Sequence, residues 1–597
     1  MSVKMGAVLI DDQQACQFRV WAPHADEVYV TGSFNNWDGQ KHPLNRADGG
    51  IWSAIIPEAK EGDEYKYRLI CQGREIIRND PYARNVTSSV GNSIVSRPPQ
   101  KRTTEFKAPD LNNMVIYELH IGTFGHGYAD NHEPATFKSS IRYLDDLKAL
   151  GVNAIEIMPV HEFPGGISWG YNPVYLFSVE SNYGTIQDFY DFIYEAHQRG
   201  IAVILDVVYN HFGPSDLDIW QFDGWHENNM GGIYFYNDWR AKTPWGDTRP
   251  DYGRSEVRQY ILDNVMMWAE DFEVDGLRLD MSVYIRTVNG MGSDPHDGLA
   301  DGWSLMQAIN NEAHAYNPRF ITIAEDMQDS AWLTNKSLEE GGAGFNAQWG
   351  AFFVHTLRDA LLQPDDINRD MSKLAAAISQ CFNHDVFERV IYTESHDEIA
   401  NGQARIPEDA SPGHADSWIA KKKSLLGAGI VFTTPGIPML FQGQEFLEDH
   451  WFEDTRELDR QKAKNNNGIL QAYKDLISLR LNKQAITAGL CGQNVQVYSL
   501  DHNNKVIAYH RWINGGEGDS VVIIANFSHE DFANYQVGFP AEGKWHIRFN
   551  SNSNIYDDSF NNLGNSVVIA QPEPLDDQPA SGTVILSAYS LIILSRE

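Results

Sequence analysis

Two hydrophobic patterns divide this chain. Over roughly the first hundred residues apolar and polar positions alternate, as in Gln17-Phe18-Arg19-Val20-Trp21, Glu27-Val28-Tyr29-Val30 and Tyr65-Lys66-Tyr67-Arg68-Leu69. Alternation marks strands with one buried face. Turn clusters at Asp48-Gly49-Gly50 and Glu61-Gly62-Asp63 separate the runs. The expectation is a small β-sandwich over 1–106, with Arg97 to Arg102 as the linker out. From about Met114 the period changes. Short apolar runs, Val115 to His120 and Ala154 to Pro159, alternate with stretches of helical spacing. Thr136 to Leu150 predicts one helix stopped by Gly151, and Ile186 to Arg199 another stopped by Gly200. Ser255 to Asp271 predicts a further helix with Ser255 as its N-cap. Strand and helix in alternation predict a parallel α/β domain. From about Thr487, runs such as Asn494 to Tyr498 and Val521 to Asn526 return to strand character and predict a second β-sandwich over 483–597.

Four apolar runs end in charged or polar residues. They are Ile204 to His211, Val274 to Asp280, Ile321 to Glu325 and Ile391 to Glu398. One Asp after a strand ordinarily caps the next helix; four such endings ask for another reason. Asp206, Asp280, Glu325 and Asp397 are separated by 74, 45 and 72 residues. A strand-helix-strand unit takes about 30 residues or more, so the gaps fit one unit with an insertion, one unit and two units. The runs become strands 3, 4, 5 and 7 of a (β/α)8 TIM barrel over 107–482, with Phe345 to Trp349 as strand 6 and Pro438 to Phe441 as strand 8. Polar residues at the C-terminal ends of such strands converge on one open face. Arg278 and Asp280, two apart, share a face of their strand.

Charge narrows the partners. With 47 Lys and Arg against 81 Asp and Glu, the net charge of −34 repels nucleic acid and anionic membranes and suits an uncharged substrate. Cys16, Cys71, Cys381 and Cys491 lie far apart without a CxxC pair, which argues against a disulfide or metal framework. No long apolar run follows Met1 to Met5, so neither a signal peptide nor a membrane span is expected, and the location suggested is cytoplasmic.

Asp206 to His211, Gly276 to Asp280, Ala324-Glu325 and Ser395-His396-Asp397 resemble, in order and spacing, the four signature regions of the α-amylase superfamily, glycoside hydrolase family 13. The resemblance implies a retaining mechanism, with carboxyls about 5–5.5 Å apart. Asp280 would be the nucleophile, Glu325 the general acid/base and Asp397 the third carboxylate on the sugar hydroxyls. It also implies that His211 and His396 bond hydroxyls, that Tyr171 in Ser168 to Pro173 stacks under the reacting sugar, and that Asp206 orients the site. Arg278 should hold Asp280 ionised. Glu325 has no cation near it in the chain (Arg319 and Lys336 are the nearest), so crowding by Asp280 and Asp397 should raise its pKa. The stretch 209–253 resembles a short form of the family's domain B. Asn210 is a calcium ligand in many relatives, but no acidic cluster accompanies it here, so no metal and no cofactor are expected.

Which activity follows is open between two enzymes. Phe18 to Pro23 and Gly32 to Trp37 resemble the glycogen-binding-type module of branching and debranching enzymes, where Trp37 and Trp52 would be sugar-stacking or core residues. That module, the short insertion and Glu398 after Asp397 favour a 1,4-α-glucan branching enzyme acting on α-1,4-glucans. Against it, Gly344 to Trp349 looks more like maltooligosyltrehalose trehalohydrolases and Thr433 to Pro438 reads as readily with hydrolases, so the alternative is an α-amylase-like or trehalohydrolase-like hydrolase. A non-catalytic glucan-binding protein would have no need of three carboxylates together.

Overall fold

The computed structural model describes residues 4–126, 133–292 and 298–596. Met1 to Val3, part of the start that lacks an apolar run, lie outside them. At the centre, eight parallel strands close into a barrel. They are β1 (Ile116–Leu119), β2 (Ala154–Ile157), β3 (Ala202–Val207), β4 (Gly276–Leu279), β5 (Ile321–Ala324), β6 (Ala347–Trp349), β7 (Arg389–Ile391) and β8 (Ile437–Phe441). The (β/α)8 expectation and its strand numbering hold. The ring shuts where Met439 of β8 pairs with Ile116 of β1.

Strand parity explains what fills the barrel. Ile116, Ala154, Ile204, Ile323, Ala347, Val390 and Met439 belong to one buried apolar cluster. Their neighbours Tyr117, Ile155, Leu205, Ala324, Ile391 and Leu440 belong to the larger cluster that includes the surrounding helices. Two residues on from an inward side chain the chain faces inward again. In β1, β2, β3 and β5 that next position is Glu118, Glu156, Asp206 and Glu325, and β4 places Arg278 in register with Asp206. An apolar floor thus carries a charged layer at the C-terminal end.

The flanking units are two-layered and antiparallel. Before the barrel, one sheet holds Gly6–Ile10, Ala15–Trp21, Asn45–Arg46 and Ile51–Ile56, and the other Glu27–Gly32, Glu64–Cys71, Arg74–Arg78 and Ser93–Ile94. Trp52 is 6% exposed and donates Nε1–H to the Ala22 carbonyl, so it is core; Trp37 is 43% exposed. After the barrel, a six-stranded and a two-stranded sheet run from Asn494 to Arg596.

Some expectations need correction. The helix over 136–150 is two, Phe137–Ile141 and Leu144–Leu150. The Tyr143 N–H turns to Ser140 O three residues back, a tightened turn that ends the first helix. Ser255 is not a cap: Arg254 is the N-cap residue, and the Ser255 hydroxyl donates to Glu256. A hairpin between β2 and the next helix, His161–Glu162 with Tyr175–Val179, was not anticipated; its loop carries Tyr171. No helix among the described residues is long and apolar enough to cross a membrane.

Candidate active site

Arg278 is the hub. It is fully buried, with its guanidinium over the Trp349 ring at 4.3 Å. Its Nη1 donates to Asp206 Oδ2 at 2.7 Å and to Asp280 Oδ1 at 3.2 Å. Its Nη2 lies 2.8 Å from Glu325 Oε2, a charge contact without hydrogen-bond alignment. Three buried carboxyls from three adjacent strands therefore share one cation. Each is also fixed by a neutral donor. Asn210 Nδ2 donates to Asp280 Oδ2 at 2.7 Å, the Met281 N–H to Glu325 Oε2 at 2.9 Å, and the Tyr171 hydroxyl to Asp206 Oδ2.

Burial dominates the electrostatics. Removing a carboxylate from water favours its protonated form. It pushes Asp206 and Asp280 up to about 6 against the pull of Arg278. Glu325 is pushed further, to about 7, by burial and then by the charges of Asp280 and Asp397, again against Arg278. Arg278 does favour the charged form of Asp280, though desolvation is the larger influence on it. Glu325 does have a cation at hand, from the neighbouring strand rather than from its own stretch of chain.

The remaining candidates ring this cluster. Asp397 stands exposed at the rim. His396 is buried; Glu118 binds it twice, through Nδ1 and through the backbone N–H at 3.1 Å. Burial alone would lower its pKa, but the Glu118 charge and hydrogen bond push it up to about 9, so His396 is cationic at neutral pH. Tyr171 stacks on the His396 ring with centroids 4.9 Å apart. His211 is lowered by burial to about 4 and is neutral; it is bonded to Asn210 and stacked under Trp245 at 4.5 Å. Seven of the eight sequence candidates are thus joined by hydrogen bonds, ion pairs or ring stacking, His211 through Asn210, and Asp397 follows His396 in the chain. Among the described residues, Glu448, Asp449 and His450 alone have metal-like spacing, and Lys462 Nζ already pairs with both carboxylates.

Comparison with known proteins follows the same outline. The model of the alpha amylase catalytic domain matches residues 128–244 and 214–464. Carbohydrate-binding module 48 (the isoamylase N-terminal domain) matches 4–83, and the alpha amylase C-terminal all-beta domain matches 498–597. The chain belongs to the α-amylase family. It is an enzyme of glycosidic bonds, a glycoside hydrolase or transglycosylase. The 1,4-alpha-glucan branching enzyme GlgB of Paramagnetospirillum magneticum is 30% identical over 93% of this chain and 77% of that protein. The enzyme of the same name from Oceanobacillus iheyensis is 30% identical over 90% of this chain and 86% of that protein. A pullulanase from Anoxybacillus sp. LM18-11, solved with maltotetraose, superposes with a TM-score of 0.76 over 100% of this chain and 87% of its own; at 20% identity this speaks for the fold.

Four residues of this α-amylase-family site went unread in the sequence as parts of it. Glu118 and Glu156 sit inside apolar strands, and only their parity with Asp206 marks them. Glu156 is buried with both oxygens unpartnered, and burial raises it well above the usual carboxylate range. In the sequence Asn210 reads only as a metal ligand, and Trp245 lies in an irregular insertion with no periodic signal.

Proposed function

We propose that the chain is a retaining 1,4-α-glucan branching enzyme, with Asp280 as nucleophile, Glu325 as acid/base and Asp397 as the carboxylate that grips the sugar. The working division is 1–106, 107–482 and 483–597. The observation that carries the chemistry is the geometry at Arg278: it contacts both carboxyls, Asp280 takes a further bond from Asn210 Nδ2 at 2.7 Å, and Glu325 is raised by burial and by the charges of Asp280 and Asp397. That makes Asp280 the better-held anion and Glu325 the readier proton donor, which is the division of labour a double displacement needs. Protonated Glu325 gives its proton to the bridging oxygen as an Asp280 oxygen attacks C1. The C1–O bond breaks and the glucan chain becomes an ester of Asp280. A 6-hydroxyl of another chain then attacks C1, Glu325 takes that proton, and Asp280 is released. Two inversions leave the new bond α. Arg278 stabilises the carboxylates throughout, while Tyr171, Asp206, His211 and His396 seat the sugar. The α-1,4-glucan substrate and the transfer outcome rest on the likeness to the named branching enzymes.

The test is amylose incubated with the enzyme and followed by proton NMR and reducing-end assay. Branching gives α-1,6 anomeric signals with little rise in reducing ends until a debranching enzyme is added. Reducing ends that rise at once without α-1,6 signal would make the chain a hydrolase, and a trehalose-capped maltooligosaccharide would then separate trehalohydrolase from amylase.

A further inference from the structure

Glu118 has no part in the steps above, yet it is tied to them. It is the inward position of β1 two residues beyond Ile116, and its carbonyl takes the Gln442 N–H at 3.0 Å, so the end of β8 fixes its backbone. It is 1% exposed, and its two carboxyl oxygens go to one residue: Oε1 meets His396 Nδ1 and Oε2 accepts the His396 backbone N–H. A carboxylate bound at both points fixes the ring's place and its tautomer together. With Nδ1–H committed to Glu118, Nε2 is the ring nitrogen left to meet a sugar, and in the cationic ring it can only donate.

The ring so held is joined to Asp280 by contacts. Tyr171 stacks on it at 4.9 Å with 21° between the planes, the Tyr171 hydroxyl donates to Asp206, and Arg278 binds both Asp206 and Asp280. Charged and titratable groups face the ring from several strands. β1 brings Glu118 and then His120, which burial lowers to about 4 and leaves neutral. β2 brings Glu156, β3 Asp206, β4 Arg278 and the Asp280 that follows it, and Asp397 is next in the chain. The rings of Trp169 and Trp349 each lie at 6.1 Å. Burial and Arg278 disfavour a charged ring; Glu118 and Asp397 favour it.

Glu156 shows what the pairing does. It is in register with Glu118 on the adjacent strand and just as buried, but its two oxygens have no hydrogen-bond partner, and it is raised well above the usual carboxylate range. Glu118 differs in having the His396 ring. A cation fixed at that place favours in turn the charged forms of Asp206 and Asp280. We propose that Glu118 is a positioning residue of the reaction: it holds His396 as a charged Nε2–H donor, and that fixed cation, added to Arg278, keeps Asp280 an anion able to attack. The proposal rests on the roles given above to Asp280 and His396, and it applies to transfer and to hydrolysis alike.

Two measurements test it. In the full chain labelled with 15N-histidine, an imidazolium signal should persist at pH 8 in the wild type and vanish in His396→Asn, which assigns it. Its absence from the wild type would overturn the proposal without any change at Glu118. Glu118→Gln then removes the charge and keeps the shape: the amide oxygen can accept the backbone N–H while the amide N–H donates to Nδ1 of a neutral ring. The signal should be lost in Glu118→Gln and kept in Glu118→Asp, which retains the charge; a signal kept in Glu118→Gln would overturn the hold on His396. The second measurement is the pH profile on amylose. Glu118→Gln should move the acid limb of kcat/KM up by about one pH unit, about tenfold less activity at pH 5. Glu118→Asp should leave the limb in place and lower the whole profile. A loss spread evenly over pH in Glu118→Gln would reduce Glu118 to packing and overturn its effect on Asp280. Wild-type turnover in Asp280→Asn would defeat the reading of the nucleophile, and that second effect with it, while the imidazolium signal still decides the first.

Discussion

Glu325 and Asp326 are neighbours in the chain, both buried, and each faces an arginine, yet their surroundings differ in one respect. Asp326 has Arg286 to itself: Nε and Nη2 reach its two oxygens at 2.8 and 2.7 Å, and the Ser282 hydroxyl adds a third bond at 3.1 Å. Glu325 shares Arg278 with Asp206 and Asp280. A buried charge matched one to one is complete and can only hold structure. Three carboxyls to one guanidinium leave negative charge over, and that surplus together with burial sets the protons loose near neutral pH. The same elements, one residue apart, serve as brace and as candidate acid.

The comparison breaks most sharply in activity. Asp280→Asn and Glu325→Gln should each lower turnover on amylose by on the order of 10³-fold or more with the fold kept, as loss of a nucleophile or its partner does elsewhere. Circular dichroism and a turnover assay decide it; near-wild-type rates would remove the pair from the chemistry. On the brace side, Arg286→Ala should cost about 3–5 kcal/mol of stability by leaving Asp326 charged and alone. Replacing both partners by apolar residues of similar volume should restore most of that loss, which denaturant titration would show.

How much of this was legible depends on the range of each interaction. Strand-end carboxylates could be read because parity and spacing are properties of the chain, and β3, β4, β5 and β7 fell where the spacing put them. The Arg278–Glu325 contact crosses between strands and joins residues 47 positions apart, so inspection around Glu325 finds no cation. Glu118 and Glu156 look like interruptions of apolar strands until barrel closure sets them in the same inward layer as Asp206. The break at Arg142-Tyr143 depends on one turn that helical periodicity does not see.

The surplus charge should also shape the pH profile. On the proposed roles, activity needs Asp280 ionised and Glu325 protonated. With folded values of about 6 and about 7, kcat/KM should rise through the first and fall through the second, a narrow bell losing about tenfold per pH unit beyond either limb. Because the two groups interact, the limbs belong to the pair. Glu325→Gln should remove the alkaline limb from whatever activity remains. A limb unchanged in that variant would assign the titration elsewhere.

The smallest effect concerns stability and runs opposite to the usual acid case. Glu325 titrates near 4.5 when unfolded and at about 7 when folded, so between those values the folded state holds a proton that the unfolded state has lost. Stability contributed by that proton is present below about 4.5 and is lost as pH rises through about 7. Glu325→Gln carries no such loss. It should match the wild type near pH 4 and exceed it at pH 8 by on the order of 1 kcal/mol. Arg278 argues the other way, since it loses one of three anionic neighbours, but burial is the larger influence on Glu325 and Asp206 and Asp280 remain on the guanidinium. Denaturant titrations of both proteins at the two pH values decide the sign. A variant less stable than wild type at pH 8 would mean that the Arg278 attraction outweighs desolvation, and that the Glu325 site is a brace like Asp326.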